Sequence, residues 1–218
     1  RLAYGLAVLP LVTGTANAAD PGFVNNLEIV KTFDAYGGAS FGNTGPYEAI
    51  VGIVHGKLDP NNPANAGIVD IGLAPRDANG LVNYSTDFVI LRPKNVATAR
   101  RVLFYDVVNR GNKLATGTFN GAGSNFDAGQ EGNALLLRLG YTMVWSGWQG
   151  DIAQTGSGDT APVGTNFPIA RNSDGSAITG QSREEYIMDS SGGLSGNIAT
   201  ENLTYPPAAM SKADVTFN

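Results

Sequence analysis

The chain has 218 residues, 42% hydrophobic and 15% charged, which is the composition of a core-forming protein and excludes an intrinsically disordered one. Its 14 Lys and Arg residues against 19 Asp and Glu residues give a formal net charge of −5, and no basic stripe occurs. Nucleic-acid binding and anionic-membrane binding therefore lack an electrostatic basis. The sequence has 29 glycines, which indicate many turns, and no cysteine, which excludes disulfides and thiol chemistry.

Residues 1–18 have the pattern of a secretory signal peptide. The apolar segment 2–12 is followed by Ala16-Asn17-Ala18, an A-x-A cleavage site. The alternative, a membrane anchor, is disfavoured because this segment is too short to span a bilayer and Pro10 interrupts it. We therefore expect a periplasmic or secreted protein with no membrane span after signal removal, whose residues 19–218 belong to one domain.

Four extended segments follow the signal in chain order. They are rich in β-branched and aromatic residues, and their connections contain Pro, Gly and Asn without a helical period. This pattern predicts an antiparallel β-rich N-terminal half. The predicted strands are residues 27–33, 47–58, 67–73 and 84–91.

Residues 101–151 predict a parallel strand–helix–strand crossover. The apolar run 102–108 suits a strand that is covered on both faces, and residues 141–145 form a second short strand. Between them, Asp127 and Gln130 fit a capping box, and Gly140 fits the left-handed residue that ends many helices. The alternative, one long strand over residues 135–145, is disfavoured by the glycine in its middle. Such a crossover closes right-handed in nearly all known cases.

Beyond Asp151 the chain is polar and irregular. Residues 167–171 and 176–179 flank Asn172-Ser173-Asp174-Gly175, and the Asp-Gly pair predicts a hairpin turn there. Residues 183–188 are predicted to form one more strand, and residues 213–218 resemble a strand that has only begun.

The loop after the first crossover strand carries one candidate site. Ligands bind at the carboxyl ends of parallel strands in sheets of this kind. In hydrolases with such a crossover, a loop after an early strand donates a backbone N–H to the oxyanion hole. Asn109, Arg110 and Gly111 are in the place for that role. The alternative is a tight strand-exit turn in which Arg110 pairs with a surface carboxylate.

The loop after the second crossover strand carries the other candidate residues. Trp148, Gln149 and Asp151 are candidates for a substrate cleft, with an aromatic wall and polar orienting groups. The alternative is that Trp148 packs over the sheet end as part of the core.

The motifs of a complete catalytic site are absent from the sequence. No Gly-x-Ser-x-Gly occurs, and the near matches at Ser182 and Ser195 each lack the final glycine. The single histidine, His55, lies in a predicted strand before the crossover, where a structural role is the more common one. One His and no Cys exclude the common zinc sets, and the Asp and Asn residues at positions 59–70 are better explained by a turn than by calcium. We expect no metal and no cofactor.

Four stretches carry a resemblance to a family of exported bacterial proteins described as α/β-hydrolase domain proteins. They are FGNTGPYE at 41–48, IVDIGLAPR at 68–76, FYDVVNRGNK at 104–113 and VWSGWQGD at 144–151. The resemblance implies an α/β class, with an α/β-hydrolase-like fold in which the antiparallel β-rich half is followed by the parallel βαβ unit. It also implies that this chain is the N-terminal portion and that the fold is incomplete.

The same resemblance implies a serine hydrolase that acts on a small-molecule carboxylic ester. The family's nucleophile and histidine lie further along than Asn218, so no catalytic residue is assigned here and the 218-residue fragment is expected to be inactive. Two alternatives stay open. One is a secreted β-rich glycan-binding module with Trp148 as a stacking platform, and the other is a structural protein of the cell envelope. The oligomeric state is not predicted.

Overall fold

The computed structural model describes residues 20–181 and divides the chain into two compact units, Arg1–Ala170 and Arg171–Asn218. The signal segment 1–18 and the predicted strands at 183–188 and 213–218 lie outside the described residues. In the described part of the second unit, the predicted hairpin turn is confirmed, because Asn172 N–H donates to Ser176 O at 3.1 Å and Arg171 bridges Ala177.

The first unit is built on one sheet of six strands within residues 20–170. The strand order is β1-β2-β3-β5-β4. The short strand β6 also pairs with β3. Only β4 and β5 run parallel, and every other pair is antiparallel. The strands are β1 (Gly22–Asp34), β2 (Tyr47–Leu58), β3 (Val82–Pro93), β4 (Leu103–Tyr105), β5 (Thr142–Ser146) and β6 (Thr165–Asn166).

All helices in the described residues are short. The two α-helices, α1 (Ala115–Asn120) and α2 (Leu135–Arg138), have six and four residues. Neither has the length needed to cross a bilayer, and the described chain contains no other helix that does. The remaining helical turns are of the 3-10 type, at Ala35–Gly38, Gly42–Thr44, Pro63–Asn65 and Ile71–Leu73.

The predicted α/β-hydrolase-like fold, and with it the α/β class, is wrong. The sheet is mostly antiparallel and carries only two short helices. Of the helix expected between Asp127 and Gly140, only α2 (Leu135–Arg138) forms, because Gly129, Gly132 and Ala134 adopt positive φ values of 82°, 58° and 53°. The capping box is wrong for the same reason, since Gln130 N–H donates to the backbone oxygen of Asp127 in a turn.

The crossover prediction is confirmed in its parallel strand pairing and in the order of a helix, α2, followed by a strand, β5. Leu103 pairs with Thr142 and Tyr105 with Val144 in a parallel ladder. The first strand is three residues long and is not covered on both faces, because Leu103 and Tyr105 are 60% and 48% exposed. The left-handed Gly140 is confirmed, with φ of 76°, and its N–H donates to Leu137 O at 3.0 Å.

Three of the four predicted N-terminal strands are confirmed as β1, β2 and β3. The strand predicted at 67–73 is wrong, and the segment forms turns and the 3-10 helix Ile71–Leu73. Asp70 adopts φ of 56°, which is incompatible with an extended chain, and Val69 is 85% exposed. Only Ile71 of this segment is buried.

The core lies on one face of the sheet. Val51, Val89 and Trp145 from three neighbouring strands are fully buried there. Loops and short helices cover this face, and Tyr36 packs edge-on against Phe41 and Phe126 at ring distances of 5.6 and 6.0 Å. Burial of their hydroxyl groups holds the pKa of Tyr36 and of Tyr47 well above the usual tyrosine range.

Candidate functional site

A buried carboxylate fixes the loop that leaves β4. Asp106 is 9% exposed, and its Oδ2 accepts hydrogen bonds from the N–H groups of Leu114 and Ala115, each at 2.8 Å. The same oxygen accepts from Trp145 Nε1 at 2.6 Å. The start of α1 and the centre of β5 are thereby tied to one side chain, so the intervening loop has little freedom.

The predicted oxyanion loop is a tight turn. Asn109 N–H donates to Asn112 O at 3.2 Å, and Asn112 N–H donates back to Asn109 O at 2.9 Å. The two central residues, Arg110 and Gly111, have φ of 48° and 77°, the combination found in type I′ turns. A Cβ at Gly111 would lie 2.6 Å from Pro162 Cβ and 2.9 Å from a backbone oxygen, so only glycine fits this position.

The structure brings the two predicted site loops together. Arg110 N–H donates to Gln149 Oε1 at 2.6 Å, and Arg110 Nη2 lies 2.7 Å from Asp151 Oδ2. Trp148 Nε1 donates to Val108 O at 2.8 Å. The residues Asn109, Arg110, Gly111, Trp148, Gln149 and Asp151 therefore form one surface site, which we call the loop site.

The contacts distinguish between the alternatives for these residues. Trp148 is 54% exposed and is not part of the core. Arg110 pairs with a surface carboxylate, as the strand-exit-turn interpretation expected, and such a pair contributes about 0–1 kcal/mol to stability. The backbone N–H groups of Asn109 and Arg110 are engaged within the protein, the first by Asn112 O and the second by the side-chain oxygen of Gln149.

His55 lies on β2, in an ion-pair geometry with a β1 carboxylate. Its Nε2 is 3.0 Å from Glu28 Oε2, and both side chains are partly exposed. The sequence pattern did not predict this pair, because the two residues are 27 positions apart and meet only through the β1–β2 register.

Lys113 is a second group that the sequence did not reveal. It is 6% exposed, its Nζ donates to Gly158 O, and the ammonium lies 5.9 Å from the centre of the Phe126 ring. Burial lowers the pKa of Lys113 to about 8, and the nearby Asp159 carboxylate opposes part of that shift. Its position at the end of an Asn- and Gly-rich loop gave no signal of burial.

The Asp- and Asn-rich segment 59–65 makes a turn with its own polar groups. Asp59 Oδ1 accepts from Asn61 N–H at 2.9 Å, and Asn62 Oδ1 accepts from Ala64 N–H at 3.0 Å. Asn65 Nδ2 donates to Asp59 O at 2.8 Å. Among residues 20–181, no three His, Cys, Asp or Glu side chains are grouped so that they could hold a metal ion.

The chain was compared with protein-family models, with curated proteins and with solved structures. None of them matches.

Proposed function

We propose that this chain provides the substrate-binding part of an exported serine hydrolase that acts on a carboxylic ester. The proposed substrate site is the loop site. It follows the carboxyl ends of β4 and β5, the two parallel neighbours, which is where ligands bind in many sheets with parallel strands. The proposal assigns neither the serine nucleophile nor the catalytic histidine to a residue of this chain.

One hydrogen bond carries the proposal, the bond from Arg110 N–H to Gln149 Oε1 at 2.6 Å. A carboxamide oxygen is chemically close to an ester carbonyl oxygen, and both groups accept from a backbone N–H. We infer that a bound ester displaces the Gln149 side chain and places its own carbonyl oxygen on Arg110 N–H. In serine hydrolases, one such donor to the developing oxyanion contributes roughly 10²–10³ in kcat.

The test is a titration of the isotopically labelled 218-residue protein followed by backbone amide NMR. Ethyl butyrate is the ester probe, and butyl ethyl ether is the matched control because it lacks only the carbonyl oxygen. We expect the ester to shift the Arg110 amide resonance and the ether to leave it unchanged. Equal shifts with both probes, or none at Arg110, would refute the proposal.

Two variants test whether the ester displaces the Gln149 side chain. Gln149→Ala removes the competing oxygen and should lower the apparent Kd for the ester about fivefold, since a neutral hydrogen bond contributes about 1 kcal/mol. Gln130→Ala, at an exposed position of another loop, is the control and should leave the Kd unchanged. A Gln149→Ala protein that binds the ester no better than the unmodified protein would count against the displacement step.

A second function, glycan binding, is favoured by the state of Trp148. The ring is 54% exposed, yet its Nε1 is held by Val108 O at 2.8 Å, so a flat apolar surface is presented in a fixed orientation. A side chain that is ordered before binding loses less entropy when a ligand stacks on it. For this function we expect cellohexaose or chitohexaose to shift the Trp148 indole N–H resonance. Trp148→Ala should abolish binding, and Trp148→Phe should retain part of it.

A further inference from the structure

A cavity of about 310 Å³ lies on the first unit at the end of β2 and β3. Its volume is at the lower end of the range for small-molecule sites, which suits a ligand of about one ring. Its wall comes from β2, β3, β6 and the loop after β6. The lining residues are His55, Asn83, Tyr84, Ser85, Asn166 and Pro168.

The register of the sheet explains why these residues meet. His55 on β2 is the direct cross-strand partner of Ser85 on β3, and Ser85 pairs on its other side with Asn166 of β6. Three polar side chains therefore follow one another across three adjacent strands. Glu28 of β1 extends this row, because its Oε2 lies 3.0 Å from His55 Nε2.

The charges at the cavity select a neutral ligand. None of the six lining side chains carries a permanent charge, so an anion would find no permanently cationic side chain in the wall. The Glu28 carboxylate, 3.0 Å from His55 Nε2, would repel an anion.

The hydrogen-bonding groups select a ligand that both donates and accepts. The side-chain amides of Asn83 and Asn166, the Ser85 hydroxyl and the His55 imidazole each belong to residue types that can do both. Ser85 Oγ also donates to Gln154 Oε1 at 2.8 Å, while the buried Nε2 of Gln154 has no partner among residues 20–181. Hydroxyl groups of a polyol complement such a surface.

The cavity also has an apolar side. Pro168 is part of its wall. An apolar group beside polar groups suits a sugar ring, which carries both C–H groups and hydroxyls.

We propose that this cavity binds a neutral polyhydroxylated ligand of the size of one sugar ring, and that His55, oriented by Glu28, is its central hydrogen-bonding group. The inference uses no residue of the loop site and does not rest on the proposed ester hydrolysis.

The test uses the fact that His55 is the only histidine of the 218 residues, so all imidazole NMR signals of the full chain belong to it. The probes are glucose, galactose, mannose and N-acetylglucosamine, and acetate is the charged control. We expect at least one sugar to shift the imidazole signals in a saturable manner and acetate to leave them unchanged. No shift with any sugar, or a saturable shift with acetate, would overturn the proposal.

Two substitutions show whether the binding takes place in the cavity. Asn166→Ala removes an exposed lining amide and should weaken sugar binding about fivefold, which corresponds to one neutral hydrogen bond. Asn79→Ala changes an exposed turn residue outside the lining and should have no effect. Equal affinity of the Asn166→Ala protein and the unmodified protein would place the sugar elsewhere and refute the assignment.

Discussion

Two charged side chains of the segment after β4, Asp106 and Lys113, lie almost fully buried, and they differ in how well their charge is compensated. Three donors converge on one oxygen of Asp106. Lys113 has a backbone oxygen and an aromatic ring beside its ammonium, and burial depresses its pKa to about 8. The three hydrogen bonds to Asp106 therefore stabilise the fold, whereas the buried ammonium of Lys113 costs free energy when it is protonated.

The depressed pKa of Lys113 predicts a pH dependence of stability. Between pH 8 and about 10 the unfolded chain still holds the proton that folded Lys113 has released, so the free energy of unfolding rises with pH. The whole effect is up to about 3 kcal/mol, from the difference between 10.5 and about 8. Urea unfolding at several pH values from about 7.5 to 9.5 measures this rise.

Lys113→Met is the matched variant for that experiment, because it keeps an unbranched side chain without the charge. Its free energy of unfolding should not rise over the same pH window. The raised pKa values of Tyr36 and Tyr47 act in the opposite direction above about pH 10, where unfolded tyrosine loses its proton first, so the window ends below that value. The same slope in both proteins would show that Lys113 is not its cause.

The substitution Asp106→Asn tests how much the buried Asp106 carboxylate contributes to stability. The substitution keeps the shape but replaces charge-assisted hydrogen bonds to Leu114, Ala115 and Trp145 with neutral ones. We expect the free energy of unfolding to fall by about 2 kcal/mol, measured by urea denaturation at pH 7. Asp127→Asn, at an exposed position, should change it by less than about 0.5 kcal/mol. A similar loss in both variants would contradict the role given to the Asp106 carboxylate.

At the level of the elements, strands with many cross-strand neighbours were predictable and segments whose conformation depends on single residues were not. The alternating and apolar patterns identified β1, β2 and β3 because each forms a long ladder. The predicted helix before Gly140 is reduced to the four residues of α2, because the turn Gly129–Gly132 and the left-handed Ala134 prevent it from starting earlier. A propensity pattern does not report such tertiary constraints.

The loop site, too, was predictable from the sequence only in part. The sequence placed its six residues at the ends of the correct two strands, and the parallel register of β4 and β5 brings those ends together. It did not indicate that Arg110 N–H would be engaged by Gln149, because that bond joins residues 39 positions apart. The His55–Glu28 pair and buried Lys113 also depend on contacts distant in sequence.

At Gly52 in β2, the neighbouring strands leave no room for a side chain. A Cβ there would lie 2.2 Å from Glu28 O on β1 and 2.7 Å from the Phe88 ring on β3. Gly52→Ala should therefore lower the free energy of unfolding by about 1–3 kcal/mol, because both neighbours must move. Gly67→Ala is the control, since nothing lies within 4 Å of a Cβ at that position and its thermal midpoint should not fall. Unchanged stability of Gly52→Ala would contradict the close packing of the three strands.

The sheet of the first unit has one buried face and one face that is partly exposed to solvent. The face opposite the core carries a cross-strand row of partly exposed side chains, which consists of Thr32, Ile50, Ile90, Val144 and Tyr105. Exposed apolar residues continue it on both outer strands, with Ile29 at 51% and Leu103 at 60% exposure. A contiguous apolar surface of this kind favours association.

We expect the 218-residue protein to self-associate as its concentration rises, and the double variant Ile29→Lys with Leu103→Lys to do so much less. Sedimentation velocity over a range of concentrations measures the effect. The control is Val69→Lys with Val96→Lys, which adds the same two charges at exposed positions outside the sheet. A monomeric unmodified protein at all concentrations, or an equal effect of both double variants, would disprove the role of this face.

The two tryptophans of the chain differ sharply in environment, since Trp145 is fully buried and Trp148 is 54% exposed only three residues later. The protein thus contains two optical reporters of different regions. Acrylamide or iodide in solution should quench the emission of the outer indole and spare the inner one, so ligand occupancy of the loops and unfolding of the interior can be followed separately in one unlabelled sample.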